Sequence, residues 1–124
     1  MNVIHTDKAP GAIGPYSQGI KAGGLVFVSG CIPIDPESGA MCPGDIQDKT
    51  RRCIKNLEAI LLEAGSSLDK VVKTTVFVKN LGKFAQINAA YAEFFKTNPP
   101  ARSCVEVAAL PKGAEIEIEA IAEA

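Results

Sequence analysis

Arg102 stands in a strand-like run, Arg-Ser-Cys-Val-Glu-Val, directly after Pro99-Pro100-Ala101, where a bulky charged group is not favoured for packing. Its chemical reading is a planar fork of N–H donors that can grip a carboxylate with two parallel hydrogen bonds, a geometry an ammonium cannot offer. The bland reading is a salt bridge to Glu106 or to a glutamate of the C-terminal strand, and spacing alone favours it, since most charged side chains are solvated or merely paired. Glu117 lies in the alternating run Ile116-Glu117-Ile118-Glu119, whose polar side carries Glu115, Glu117 and Glu119 in a row. Crowded like charges raise a carboxyl pKa toward the range useful for proton transfer. An edge strand charged against aggregation is the competing explanation.

Cys104 falls on the same side of its strand as Arg102 by the period-two rule. It is either a thiol whose pKa the arginine lowers or a small packing group whose backbone matters, and no histidine other than His5 is available to activate it. Tyr16, after Gly14-Pro15, is placed to cover a pocket or to anchor its loop. At Ser29-Gly30 a strand ends, and the missing side chain at Gly30 lets a ligand near the backbone or marks a bulge. Asn88 sits beside Ile87 on a helical stripe and either reaches a ligand or is a satisfied polar residue.

The elements that must position these residues follow from periodicity. Gln18 to Ala22, Gly23-Gly24 and Leu25 to Ile32 read as a hairpin, because two glycines supply the positive φ angles of a tight turn. A loop rich in Gly and Pro runs from Pro33 to Gly44. Ile46, Cys53, Leu57, Ile60, Leu61 and Ala64 then share one helical face, with Gly65 as the stop. Val71 to Lys79 is a strongly β-branched strand. Phe84, Ile87, Tyr91, Phe94 and Phe95 predict a second amphipathic helix that ends at Asn98-Pro99-Pro100. Two strands close the chain, Arg102 to Val107 and Glu115 to Ala122.

The resulting β-β-α-β-α-β-β order implies an α+β fold, a sheet of five or six strands with both helices on one face. Val105 and Val107 point one way and Arg102, Cys104 and Glu106 the other, while Ile116 and Ile118 oppose the glutamates, so one face is oily and one mixed. A mixed face still carrying Phe77 or Val71 needs a cover, and copies of the chain are expected to supply it, with Arg102 and the glutamates near the subunit boundary.

Length and composition agree: 124 residues, 47% hydrophobic and 22% charged, predict one globular domain over residues 1–124. Thirteen basic against fourteen acidic residues, without a basic cluster, make nucleic acid a poor partner. Nothing resembles a signal peptide and no run of about 18 apolar residues occurs, so a cytoplasmic protein with no membrane partner is expected. Cys31, Cys42, Cys53 and Cys104 lack C-x-x-C spacing and the single histidine is near a terminus, so no metal site is expected and the thiols are read as free.

From about Ala9 to Ala122 the chain resembles the RidA family, also called the YjgF/YER057c family. The resemblance rests on Ile13-Gly14-Pro15-Tyr16-Ser17-Gln18, Val28-Ser29-Gly30, Val72-Lys73-Thr74-Thr75-Val76-Phe77-Val78, Pro100-Ala101-Arg102-Ser103-Cys104-Val105-Glu106-Val107 and Ile116-Glu117-Ile118-Glu119-Ala120, in the family's order. It implies a chorismate-mutase-like fold, a homotrimer with sites in the clefts between subunits, and hydrolysis of reactive enamines and imines to 2-keto acids and ammonia. The substrates it implies are 2-aminoacrylate/2-iminopropanoate and 2-iminobutanoate, and no cofactor is implied. By motif, Arg102 holds the substrate carboxylate, Tyr16 closes over it, Ser29, Gly30, Asn88 and the Cys104 backbone line the pocket, and Glu117 positions water. The chain departs from the commonest pattern at Cys31, where many active members carry glutamine, and in a short loop before Pro99-Pro100. Relatives described as ribonucleases or translation inhibitors, and a non-catalytic binding or chaperone-like role, are the alternatives.

Overall fold

The computed structural model describes residues 1–124. Its strands are β1 (Asn2–Ile4), β2 (Gly19–Ala22), β3 (Leu25–Cys31), β4 (Val71–Val78), β5 (Ala101–Glu106) and β6 (Ile116–Glu123), and its helices are α1 (Ile46–Glu63) and α2 (Phe84–Ala92). They build one mixed sheet in the order β1-β2-β3-β6-β4-β5, with only β4 and β5 parallel. Gly23 and Gly24 close the β2–β3 hairpin at φ 60 and 76, the left-handed angles expected of them. β1 was not foreseen: three residues with Val3 exposed carry no alternation to recognise, and only pairing with β2 makes them a strand.

α1 starts at a capping box, with the Asp45 carboxylate accepting from the Asp48 N–H at 3.0 Å and the Asp48 carboxylate accepting from the Asp45 N–H at 3.2 Å. It ends before Gly65, at φ 82. Its buried face is wider than the apolar stripe, because Thr50 and Asn56 are buried as well. Thr50 donates to the Ile46 carbonyl, and Asn56 Nδ2 donates to the carbonyls of Ile32 and Ile34, fastening the start of the loop that leads from β3 into α1 to the helix. α2 is shorter than its sequence stripe. After Ala92 the N–H groups of Glu93 and Phe94 bond to the carbonyls of Ala90 and Tyr91, a tightening turn that leaves Phe94 and Phe95 outside the helix, although Phe95 remains buried.

Both helices cover one sheet face, where Val26, Val28, Val76, Val78, Ile116 and Ile118 meet Ile54, Leu57, Leu61 and Ile87. The opposite face is uncovered, as expected. In register across it run Val3, Ile20, Phe27 and Ile121, with Phe27 42% exposed.

Two expected assignments to that face are corrected. Val71 is buried on the helix side; the register shift between Val71 and Lys73 on β4 puts Phe77, but not Val71, on the open face. The alternation of β5 is also the reverse of that expected from oiliness. Arg102 and Cys104 pair with Thr74 and Val76, both fully buried on the helix side, whereas Val105 pairs with Phe77 and is exposed. The cause is position: β5 is an edge strand paired only with β4, so the rule that apolar residues face the helices fails there.

Candidate functional site

The predicted site residues separate into two groups on opposite faces of the sheet. The first gathers around Arg102. Its Nη1 donates to Asn88 Oδ1 at 2.8 Å, and its Cζ lies 5.4 Å from the Phe84 ring centroid and 4.9 Å from that of Tyr91. Phe84, Asn88 and Tyr91 are spaced i, i+4, i+7 on α2 and so share the side facing β5. No carboxylate lies within 4.0 Å of Arg102, which removes the salt-bridge reading; Glu106, the nearest candidate in sequence, accepts from the Leu81 N–H instead. Leu81, Phe84, Arg102 and Cys104 line an open cleft of about 410 Å³. Burial pushes the Cys104 thiol up, against a smaller downward pull from Arg102, so the arginine does not make it a thiolate nucleophile.

The second group surrounds Glu117. A cleft of about 400 Å³ is lined by Tyr16, Ser29, Gly30, Cys31, Glu117 and Glu119, among others. Gly30 lies in the β3 bulge, where the register with β6 shifts between Val28 and Cys31. The group that uses its bare Cα is Glu117: a Cβ at residue 30 would stand 2.7 Å from both Cδ and Oε2 of that carboxyl. Burial raises the Glu117 pKa first and the charge of Glu119 second. Glu115, expected to crowd it, does not contribute. It precedes the strand and is paired with Lys49 and Lys83, which hold its carboxyl below the usual range.

Cys31, beside this carboxylate, is buried and its thiol is pushed up to about 12, by burial and then by Glu117. Ser29 Oγ donates to the Ser17 carbonyl at 2.6 Å and so ties the loop to the end of β3, while the exposed Tyr16 accepts from the Ile13 N–H through its hydroxyl, a bond within the loop itself. Sequence reasoning missed Gln18, which is buried and clamps residues 6–10: its Oε1 accepts from the Thr6 N–H, and its Nε2 donates to the carbonyls of Thr6 and Pro10. The signal available was an amide at a strand start, directly after the Gly-Pro loop. Tyr91 enters the sequence reading only as one residue of the α2 stripe.

Neither group contains three or more His, Cys, Asp or Glu side chains arranged to hold a metal ion. All four cysteines are free. No helix is long and apolar enough to cross a membrane.

The model of the family described as Endoribonuclease L-PSP matches residues 6–124. A RutC family protein of Pyrococcus abyssi is 57% identical across 97% of this chain and 94% of its own length. TdcF of Escherichia coli strain K12, provisionally named a reactive intermediate deaminase, is 49% identical across 97% of this chain and 95% of its own. The crystal structure of E. coli TdcF with bound serine matches with a TM-score of 0.95 at 47% identity, covering 100% of this chain and 99% of that one. A Thermotoga maritima structure, provisionally described as an endoribonuclease, matches with a TM-score of 0.97 at 52% identity, covering 100% and 98%.

Proposed function

The chain belongs to the Endoribonuclease L-PSP family, the RidA family, and on that premise we propose that it hydrolyses 2-imino acids and their enamine tautomers, such as 2-iminopropanoate and 2-iminobutanoate, to 2-keto acids and ammonia. The observation that carries the proposal is Arg102. A guanidinium with no carboxylate partner, turned by Asn88 and backed by two aromatic rings, leaves four of its five N–H groups for an anion arriving in its plane. The name of TdcF and the serine in its crystal structure point to the same class of small amino-acid-derived ligand.

In this reading the substrate carboxylate lies on Arg102, and Glu117 presents water to the imine carbon. The water oxygen bonds to that carbon as the C=N π pair moves to nitrogen. Glu117 takes one water proton and returns it to nitrogen, giving a carbinolamine; it then takes the hydroxyl proton as the carbonyl forms and passes it to the nitrogen, so that the C–N bond breaks and ammonia leaves. Within one chain Arg102 and Glu117 occupy opposite faces, so the reaction needs the Arg102 group of one subunit set against the Glu117 group of the next. A homotrimer packed through the open face, with its apolar row from Val3 to Ile121, would complete three such sites. The family's endoribonuclease description supports an RNA reading by name only. The sole histidine, His5, follows β1 at the sheet edge opposite β5, and the formal charge is -1.

The test generates 2-iminobutanoate in place with a threonine dehydratase and follows loss of the imine. Arg102→Ala is expected to abolish the acceleration while leaving the oligomer intact; unchanged imine loss in that variant overturns the proposal.

A further inference from the structure

Tyr91 is held from two sides inside the fold. Its hydroxyl shares a 2.7 Å hydrogen bond with the hydroxyl of Thr74, which is fully buried. Its ring lies 4.6 Å, centroid to centroid, from that of Phe95 at an interplanar angle of 34°. Thr74 is also the residue directly paired with Arg102 in the parallel β4–β5 ladder, so the anchor of the ring and the backbone of the arginine belong to one rigid piece of sheet. Against this fixed ring stands the Arg102 guanidinium, with Cζ 4.9 Å from the centroid.

A guanidinium on a long side chain ordinarily samples many rotamers, and ordering it for a ligand costs affinity. A ring held behind it restricts the group to orientations that keep its cation over the π face, while Asn88 fixes rotation within the plane through Nη1. Together the two contacts determine both the tilt and the turn of the fork. The Phe84 ring, 5.4 Å away and itself partly exposed, has no hydrogen-bonded anchor of this kind.

We propose that Tyr91, anchored by Thr74, is a positioning residue that pre-orients the Arg102 guanidinium for bidentate capture of the substrate carboxylate. The proposal rests on Arg102 being the carboxylate ligand. Tyr91 does not itself reach the substrate: it is buried behind the arginine, and burial raises its phenol pKa against the opposing effects of Thr74 and Arg102. Its influence therefore belongs to binding rather than to the bond-making step.

The experiment measures binding of 2-oxobutanoate by calorimetry, and KM and kcat for in-situ 2-iminobutanoate, on the intact oligomer of Arg102→Ala, Tyr91→Phe, Tyr91→Leu and Thr74→Val. Tyr91→Leu, which removes the π face, is expected to weaken 2-oxobutanoate binding and raise KM by about 5- to 30-fold, with kcat nearly unchanged. Tyr91→Phe and Thr74→Val keep a ring but release its anchor, and each is expected to give a smaller rise in KM, about 2- to 5-fold. Should Tyr91→Leu fail to fold, these two variants decide the matter. Loss of binding in Arg102→Ala with wild-type KM in the folded Tyr91 and Thr74 variants overturns the positioning role alone. Undiminished binding in Arg102→Ala overturns the carboxylate assignment on which it rests. A fall in kcat at constant KM also overturns the proposal, since a merely structural disturbance of the fold would give that result.

Discussion

Replacing Gly30 by alanine is expected to disable the Glu117 carboxyl without unfolding the protein. The added Cβ would stand 2.7 Å from Cδ and Oε2 and 3.0 Å from Cγ of Glu117, where ordinary contacts are about 3.7 Å, so the carboxyl must retreat by about 1 Å. It can do so, because the clashing atoms end a flexible side chain in an open cleft. Backbone strain does not intervene either: Gly30 is not among the residues with positive φ, and Gly→Ala in a permitted conformation gains about 0.4–1 kcal/mol from the unfolded chain. Stability is therefore expected to change by less than about 1 kcal/mol in urea titration. A displacement of 1 Å in a reacting group lowers turnover by about 100-fold, so kcat for 2-iminobutanoate should fall by that order with KM little altered. Wild-type kcat in a folded Gly30→Ala oligomer would refute the role of Glu117 in presenting water. Gross destabilisation would refute the assumption that the carboxyl yields.

If, as proposed, each site draws its arginine and its glutamate from different copies, mixing Arg102→Ala and Glu117→Gln subunits during refolding should restore about one quarter of wild-type activity, since each copy is intact in that respect half the time. No recovery from a mixed oligomer would place both residues in one subunit's site. Glu117 has a raised folded-state pKa, so its ionised form opposes folding, and this penalty develops as pH rises from the ordinary carboxyl pKa through the raised one. Glu117→Gln should accordingly melt a few degrees higher than wild type at pH 7, with the difference vanishing at pH 3, even as activity is lost; an equal or lower melting temperature at pH 7 contradicts this. Glu115 behaves oppositely. Lys49 and Lys83 depress its pKa, so its contribution is present above the ordinary carboxyl range and disappears as pH falls through the depressed value. Because the pairs are partly exposed, Glu115→Gln should cost no more than about 1 kcal/mol at pH 7 by urea denaturation, and less in high salt.

The hairpin, α1 and β4 were legible because their signals are local: two glycines between apolar runs, a helical stripe with a stop, and a β-branched run. The identity of the charged residues was legible too, but their placement was not. The sequence pattern puts Arg102 on the mixed face because Val105 and Val107 look like the residues that should meet the helices. That inference holds for β6, which is central and has Ile116 and Ile118 buried, and fails for β5, where the parallel register with β4 rather than hydrophobicity decides the side. Glu115 appeared to crowd Glu117 because its lysine partners lie 66 and 32 positions away in sequence, on α1 and just before α2. Gln18 was missed for the same reason, since its partners are backbone groups of a segment that local patterning leaves without structure.

The reversal on β5 also changes what the uncovered face implies. With Arg102 there, copies of the chain could pack through that face merely to bury Phe27 and Ile121, with a site already whole in each chain. With Arg102 on the helix side of an edge strand and Glu117 on the open side, no rotation of a side chain within one subunit joins them, because the sheet itself lies between. The edge strand then gains a reason for its unusual composition. An arginine free of any carboxylate and backed by two aromatic rings at the sheet's edge keeps its donors for a ligand, and it is most useful if a neighbour's Glu117 cleft is brought against it. On this argument assembly and chemistry depend on the same geometry, and a variant that dissociates the subunits should lose imine hydrolysis even with every site residue intact.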